Sequence, residues 1–199
     1  NTFIIKANNT RGRRRGQVNK KYTDISYSEA KEFKREYPRE DLVSITAMAK
    51  FGATVKHLSE LTNPNVMVNG VDENYLELSG YSIASGRNFS RTEISLGNNV
   101  VVMGSDIVKK LFTNPETAVG SHISIDSRKF TVIGILASKG NTLNLSGDNQ
   151  CLIPVSVTRK SYETKSTEYR TNVMVNDPRE LDDAIQVAMG NMKLIRKDG

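Results

Sequence analysis

The residues able to do chemistry in this 199-residue chain are few and scattered. His57 and His122 fall in separate apolar stretches, with no histidine, cysteine or carboxylate at ligand spacing around them. A metal site needs three or four converging donors, so an edge-strand or surface position is the expected one for each. Cys151 is the lone cysteine and has no histidine near it in sequence. A nucleophile needs a base that holds it as thiolate, and a small, partly buried hydrophobe is the simpler reading. Asp148, in a polar loop, is the other residue on which a hydrolase could be built. Asp182-Asp183 faces away from an apolar helical stripe and reads as a solvated pair near a helix N-terminus, where acids are favourable. Gly80–Gly86 lacks the glycine spacing and the Lys-Ser/Thr pair of a phosphate loop. Gly134, inside Val132-Ile133-Gly134-Ile135, marks a strand bulge or a close approach. No nucleophile–base–orienter set emerges, no catalytic or metal residue is assigned, and no cofactor is expected.

One run resists a bland reading. Between Lys6 and Lys21 there are seven basic residues and no acid, including Arg11, Arg13, Arg14 and Arg15. From Asp41 onward, 17 basic and 17 acidic residues balance, so the whole +6 charge lies in the first 40 residues. An arginine-glycine run can track phosphates on single-stranded nucleic acid, which makes a nucleic-acid-binding domain working through Lys6 to Lys21 the alternative function. With Tyr22 as the single aromatic neighbour, a solvated loop contacting an anion or a partner through Arg11, Arg13, Arg14 and Arg15 fits better. Residues 8–21 bury too little apolar surface to offset their ordering entropy, and they are expected to be dispensable for folding.

The elements that must carry these residues follow from periodicity. Apolar residues make up 37% of the chain and charged residues 25%, as in a globular α/β protein. The longest aliphatic run is Val100–Met103, far below the roughly 20 residues of a membrane helix. The chain starts in a strand without an initiator Met and reads as a piece of a longer protein. Ser26-Tyr27-Ser28-Glu29 is a capping box, and Tyr27, Ala30, Phe33 and Tyr37 recur at helical spacing up to Pro38. Residues 42–50 alternate as a strand expected to pair with 55–61 across Phe51-Gly52. A third strand, 65–71, leads into a short helix at 73–78.

After Gly86 the elements shorten. Val100–Met103 is a buried strand, and Ser105 or Asp106 caps a helix with Ile107, Val108, Leu111 and Phe112 inward. Residues 123–126 and 129–136 form a hairpin across Ser127-Arg128. Strands follow at 152–157 and 171–175. Asp177-Pro178-Arg179-Glu180 then starts a last helix by N-cap acid and first-turn proline. Its buried stripe is Leu181, Ile185, Ala188, Met189 and Met192.

Read in order, several blocks resemble a known family. Val68-Asn69-Gly70-Val71-Asp72-Glu73-Asn74-Tyr75-Leu76 continues through Gly80 and Ala84-Ser85-Gly86-Arg87-Asn88-Phe89. Val100-Val101-Val102-Met103-Gly104 is followed by Leu111-Phe112, Ala118-Val119-Gly120 and Ile123-Ser124-Ile125. Phe130 to Leu136 and Ile153-Pro154 complete the set. Each block is weak alone, but the ordered set over about residues 66–155 is similar to the periplasmic core domain of MacB/FtsX/LolC-type ABC-transporter permeases.

That resemblance implies an α/β fold in which a porter-like βαβ subdomain carries a smaller inserted α/β subdomain. The first part would be 1–83, the insert 84–151 and the second part 152–199. It implies a periplasmic domain of an inner-membrane protein, with flanking membrane helices. ATP hydrolysis would lie on a separate cytoplasmic ABC ATPase, so the domain itself is expected not to be an enzyme. It would transmit motion, and dock substrate, a periplasmic adaptor or an outer-membrane component. Within the transporter it would sit as a homodimer or heterodimer, with no nucleic acid as partner.

Overall fold

The computed structural model describes residues 2–6, 24–39, 42–139 and 147–196. In chain order its elements are β1 (Thr2–Ile5), α1 (Tyr27–Glu36), β2 (Val43–Ala53), β3 (Val55–His57), β4 (Glu60–Leu61) and β5 (Val66–Val71). Next come α2 (Tyr75–Leu78), β6 (Ile83–Gly86), α3 (Arg91–Leu96), β7 (Val100–Met103), α4 (Ser105–Leu111), β8 (His122–Ile125) and β9 (Arg128–Leu136). The chain continues through β10 (Gln150–Pro154), α5 (Val155–Ser161), β11 (Tyr169–Met174) and α6 (Leu181–Ile195).

Among the described residues the strands form one mixed sheet, in the order β1-β11-β2-β5-β10-β7-β9-β8-β3-β4, with β6 on β9. The pairs β5–β10 and β7–β9 are parallel, and the other pairs are antiparallel. Only Thr54 separates β2 from β3, yet β2 pairs with β5 while β3 pairs with β8, four strands further along. The path therefore curls back on itself. Its closure is stitched by the Thr54 amide donating to Asp126 Oδ1 (3.1 Å) and the Asp126 amide donating to the Thr54 carbonyl (3.1 Å).

Because side chains alternate across a strand, each shared strand feeds both faces. Val102 and Leu152 point to one buried cluster, and Val101, Met103, Cys151 and Ile153 to another. The first cluster holds Phe33 of α1, Tyr169 of β11, and Ala188 and Met192 of α6. The second lies inside the curl, with Phe130 and Ile123 from the sheet and Ile107, Val108, Leu111 and Phe112 from α4.

The strands stay connected across the expected division of the chain. The sheet runs unbroken through residues 66–136, so 84–151 does not own a separate sheet, and β10 joins it to β5. Residues 55–61 of the expected first part cross to the far edge beside β8. The expected hairpin across Phe51-Gly52 is absent for the same reason: β2 continues to Ala53, with register irregularities after Met48 and Lys50 that bend it toward the closure.

Other local expectations are met or shifted by a residue or two. The Ser26 amide donates to Glu29 Oε2 (2.7 Å) and the Glu29 amide donates to Ser26 Oγ (3.3 Å), closing the expected box at the start of α1. The β8–β9 turn is Asp126-Ser127, both at positive φ, one residue earlier than expected. Residues 155–157 were expected in a strand, but the chain turns at Pro154 into α5. Sequence reasoning also passes over α3, although Ser90-Arg91-Thr92-Glu93 is a second capping box.

Gly104, rather than Ser105 or Asp106, sits at the N-cap of α4. No side chain caps that helix; instead the Gly104 amide donates to the Gln150 carbonyl (2.8 Å) and the Asp106 amide to the Asp148 carbonyl (3.1 Å). A Cβ on Gly104 would collide with the Asp148 carbonyl, which explains glycine there. Gly134 is likewise a close approach: a Cβ would strike the Arg87 carbonyl, and the β7–β9 register shifts beside it.

Asp177 starts the last helix as expected, accepting from the Arg179 amide (2.9 Å) ahead of a short 3-10 turn at Pro178–Glu180. The stripe of α6 is narrower than expected. Ala188 and Met192 are buried, Leu181 and Ile185 half-buried, and Met189 exposed. The helix packs on α1, a second layer over the sheet, and so presents only one side to the core. No helix among the described residues is long and apolar enough to cross a membrane.

Candidate functional site

The residues singled out by chemistry stay apart or take structural roles. His57 and His122 do become neighbours through β3–β8 pairing, with the His57 Nδ1 2.9 Å from the His122 carbonyl oxygen. The His57 ring stacks on Phe112 at 4.2 Å, so an aromatic contact rather than a ligand set occupies it. No group of three His, Cys, Asp or Glu side chains able to hold a metal occurs among the described residues. Cys151 is fully buried in the second core, and burial pushes its thiol up to about 12. At that value it is a neutral thiol at physiological pH.

Asp148 is nearly buried and acts as an anchor, accepting from Ser138 Oγ (2.8 Å) and the Lys139 amide (3.2 Å). Asp182 and Asp183 are exposed in the first turn of α6. Arg11, Arg13, Arg14 and Arg15 lie outside the described residues, as does most of the run from Lys6 to Lys21.

The charged site that exists was not anticipated. Lys34 of α1 is buried and donates to Asp72 Oδ2 and Glu73 Oε1, each at 2.9 Å. Asp72, at the end of β5, also accepts from the Ile45 amide of β2 at 2.7 Å. One carboxylate thus ties a helix, a strand and the β5–α2 connection together. Burial is the largest influence on Asp72 and pushes it up to about 6, with Glu73 adding to the rise while Lys34 and the Ile45 amide oppose it. Burial works against the charge on Lys34, but the two carboxylates outweigh it and raise its pKa. The signal lay in helical spacing: Ala30, Phe33 and Tyr37 define the inward face, and Lys34 is on it at i+4 from Ala30.

Around this cluster a groove of ≈ 550 Å³ opens between α1, α3 and α5. Lys31, Arg35, Arg91 and Arg159 line it together with Tyr27, Ile94 and Val155. Arg91 reaches Glu73 at 3.5 Å, and Arg35 reaches Glu32 at 3.5 Å. The Arg159 guanidinium lies over the Tyr27 ring, 5.0 Å from its centroid. Elsewhere, Ile4, Met48 and Phe51 are exposed along a second groove of ≈ 610 Å³, on the face of β1, β11 and β2 away from α1.

Comparison with known proteins places this architecture. The MacB-like periplasmic core domain family matches residues 1–188. The macrolide export ATP-binding/permease protein MacB 2 of Yersinia pestis bv. Antiqua is 30% identical over 152 residues, which is 76% of this chain and 22% of that protein. The pyoverdine export ATP-binding/permease protein PvdT of Pseudomonas aeruginosa is 32% identical over 106 residues, 51% of this chain and 16% of that protein. This chain therefore spans about a fifth of such relatives. The periplasmic region of MacB from Actinobacillus actinomycetemcomitans superposes with a TM-score of 0.72 at 18% identity, covering 98% of this chain and 82% of that one. The extracellular domain of the noncanonic ABC-type transporter YknZ from Gram-positive bacteria gives 0.66 at 16% identity, over 85% and 83% of the two chains. These two likenesses concern the fold. Together with the ordered blocks from Val68 to Pro154, the match over nearly the whole sequence settles the family: this chain belongs to the MacB-like periplasmic core domains of ABC-transporter permeases.

Proposed function

We propose that this domain works outside the cytoplasmic membrane as the transmission and docking part of an ABC-transporter permease. A cytoplasmic ATPase would move it, through flanking membrane helices, against an adaptor, an outer-membrane component or substrate. One observation carries this reading, namely the strand order. The first and last strands of the chain, β1 and β11, lie side by side at one end of the sheet, and most strands of 84–151 lie at the other, with β10 between. Displacement applied near β1 and α6 reaches the far end across β10 and through the Thr54–Asp126 closure that joins β2 and β3 to β8. A hydrogen-bonded sheet with close-packed cores on both faces is a stiff path for it. We further propose that 84–151, with the β3–β4 segment added, is the distal mechanical half. The sheet continues through it and both cores draw residues from it, so the division is one of position along the sheet.

The test needs the full-length permease, with ATP hydrolysis and export measured in the same membranes. Ile153 of β10 is fully buried in the second core, and Ile153→Val removes one methyl from it. Such a change costs about 0.5–1.5 kcal/mol and leaves the fold intact. Export is expected to fall more than ATP hydrolysis, whereas the exposed Asp182→Asn should change neither. A proportional fall of both activities would make the domain a passive platform instead.

A further inference from the structure

The groove between α1, α3 and α5 has a charge imbalance that the fold does not use. Lys34 is satisfied by Asp72 and Glu73, Arg91 leans on Glu73, and Arg35 on Glu32 and Glu36. Lys31 and Arg159 line the same groove, and neither has a carboxylate partner among the described residues. An adjoining groove of ≈ 420 Å³ shares Tyr27, Lys31, Ser95 and Arg159, and adds Lys160, the exposed Leu96 and one acid, Glu163, which accepts from the Tyr169 hydroxyl at 3.0 Å. The cations stand on two helices, α1 and α5, that both line the grooves, and Tyr27, Ile94 and Leu96 add apolar surface to the walls. Arg159 is held in place by its contact with the Tyr27 ring, so its charge is presented at little further entropic cost.

We propose that this groove is a binding site for a small amphipathic anion, with its carboxylate, phosphate or sulfonate head between Lys31 and Arg159. Its apolar body lies along Tyr27, Ile94 and Leu96. The size is that of a small-molecule pocket, and the combination of apolar lining with a few convergent charges is what orients such a ligand. Head and body are both required: a bare anion would leave the apolar wall in water, and a neutral chain would leave two cations without a counter-charge. The site stands on its own residues and does not depend on the transport reading.

Isothermal titration of the 199-residue chain with dodecanoate, below its micelle concentration, tests this. One dodecanoate should bind saturably, and Lys31→Gln combined with Arg159→Gln should weaken it about tenfold or more, as expected for losing charge-assisted contacts. Removing Arg159 also removes its contact with Tyr27, so Ser95→Glu serves as a second variant. Ser95 is an exposed wall residue, and a negative charge there should weaken binding comparably without touching the core. Lys56→Gln on β3, at the far end of the sheet, should leave affinity unchanged. Equal binding of dodecanol would overturn the role of the cations, and equal binding of inorganic phosphate would overturn that of the apolar wall. Tighter binding of hexaglutamate would replace the small ligand with an acidic peptide. Undiminished dodecanoate binding by both charge variants would remove the site altogether.

Discussion

The two cores of this molecule are held together by different physics. The first, under α1 and α6, is layered, and its edge carries the buried Lys34–Asp72–Glu73 cluster. The second, inside the curl around α4, is apolar and tight, with Gly104 and Gly134 admitting backbone where any Cβ would collide. A buried ion cluster fixes geometry but contributes little net stability, because desolvation offsets most of the attraction. An apolar core stabilises by burial, and its cost of disruption scales with the volume removed. The first half should therefore respond to pH and charge as well as to volume, and the second to volume alone.

The largest expected effects come from lost volume and fall in both cores. Phe130 is 1% exposed, and Phe130→Ala should cost about 3–5 kcal/mol, read from urea unfolding followed by circular dichroism. Phe33→Ala in the first core should cost a similar amount. Both variants should keep a single transition. A Phe130→Ala curve that splits in two would break the claim that one sheet couples the cores.

A smaller and pH-dependent effect separates the halves. The Asp72 carboxyl lies at about 6 in the folded chain against its ordinary 3.8, so between these values the native state holds a proton that the unfolded chain releases. Its contribution to stability therefore declines as pH rises through that window. Asp72→Asn should remove this slope. Relative to the variant, the wild type should thus be more stable at pH 4 than at pH 7, as read from urea midpoints at both. A difference independent of pH would show that folding does not move the carboxyl from its ordinary value.

The smallest effect concerns α3. Hydrogen bonds from Arg87, together with the Ser90 amide and hydroxyl, hold the Glu93 carboxyl down at about 2, against the opposition of its partial burial. Ser90→Ala should lower stability by about 1 kcal/mol, seen as a shifted melting midpoint at pH 7. With a depressed carboxyl, the Glu93 contribution is present above 4.5 and fades as pH falls toward 2.

Local chemistry made much of the fold legible. The box at Ser26 and the proline after Asp177 wrote the ends of their helices into four residues each, and the run Val100–Met103 could only be a buried strand. The ordered blocks from Val68 to Pro154 carried the family. Pairing was not legible, because β2 and β3 are one residue apart in sequence yet have five strands between them in the sheet order, and the closure that brings β3 beside β8 pairs Val55 with Ile125. Met189 illustrates the same limit: helical spacing placed it in the stripe, but α6 rests on another helix, and a second layer buries a narrower face. The ion cluster was half legible. Lys34 stood on the apolar face of its helix, but its partners are 38 and 39 residues away in sequence.

The central claim is that the continuous sheet, through β10 and the Thr54–Asp126 closure, makes the two halves one mechanical piece. Native-state hydrogen exchange of the isolated domain, read amide by amide on β5, β10, β7 and β9, measures this most directly. The account predicts that Leu152 and Ile153 amides exchange only by global unfolding, with the same free energy as Val68 on one side and Val132 on the other. If the amides of β7 and β9 instead open at markedly lower free energy while those of β2 and β5 stay protected, the halves are separate units and the sheet does not transmit between them.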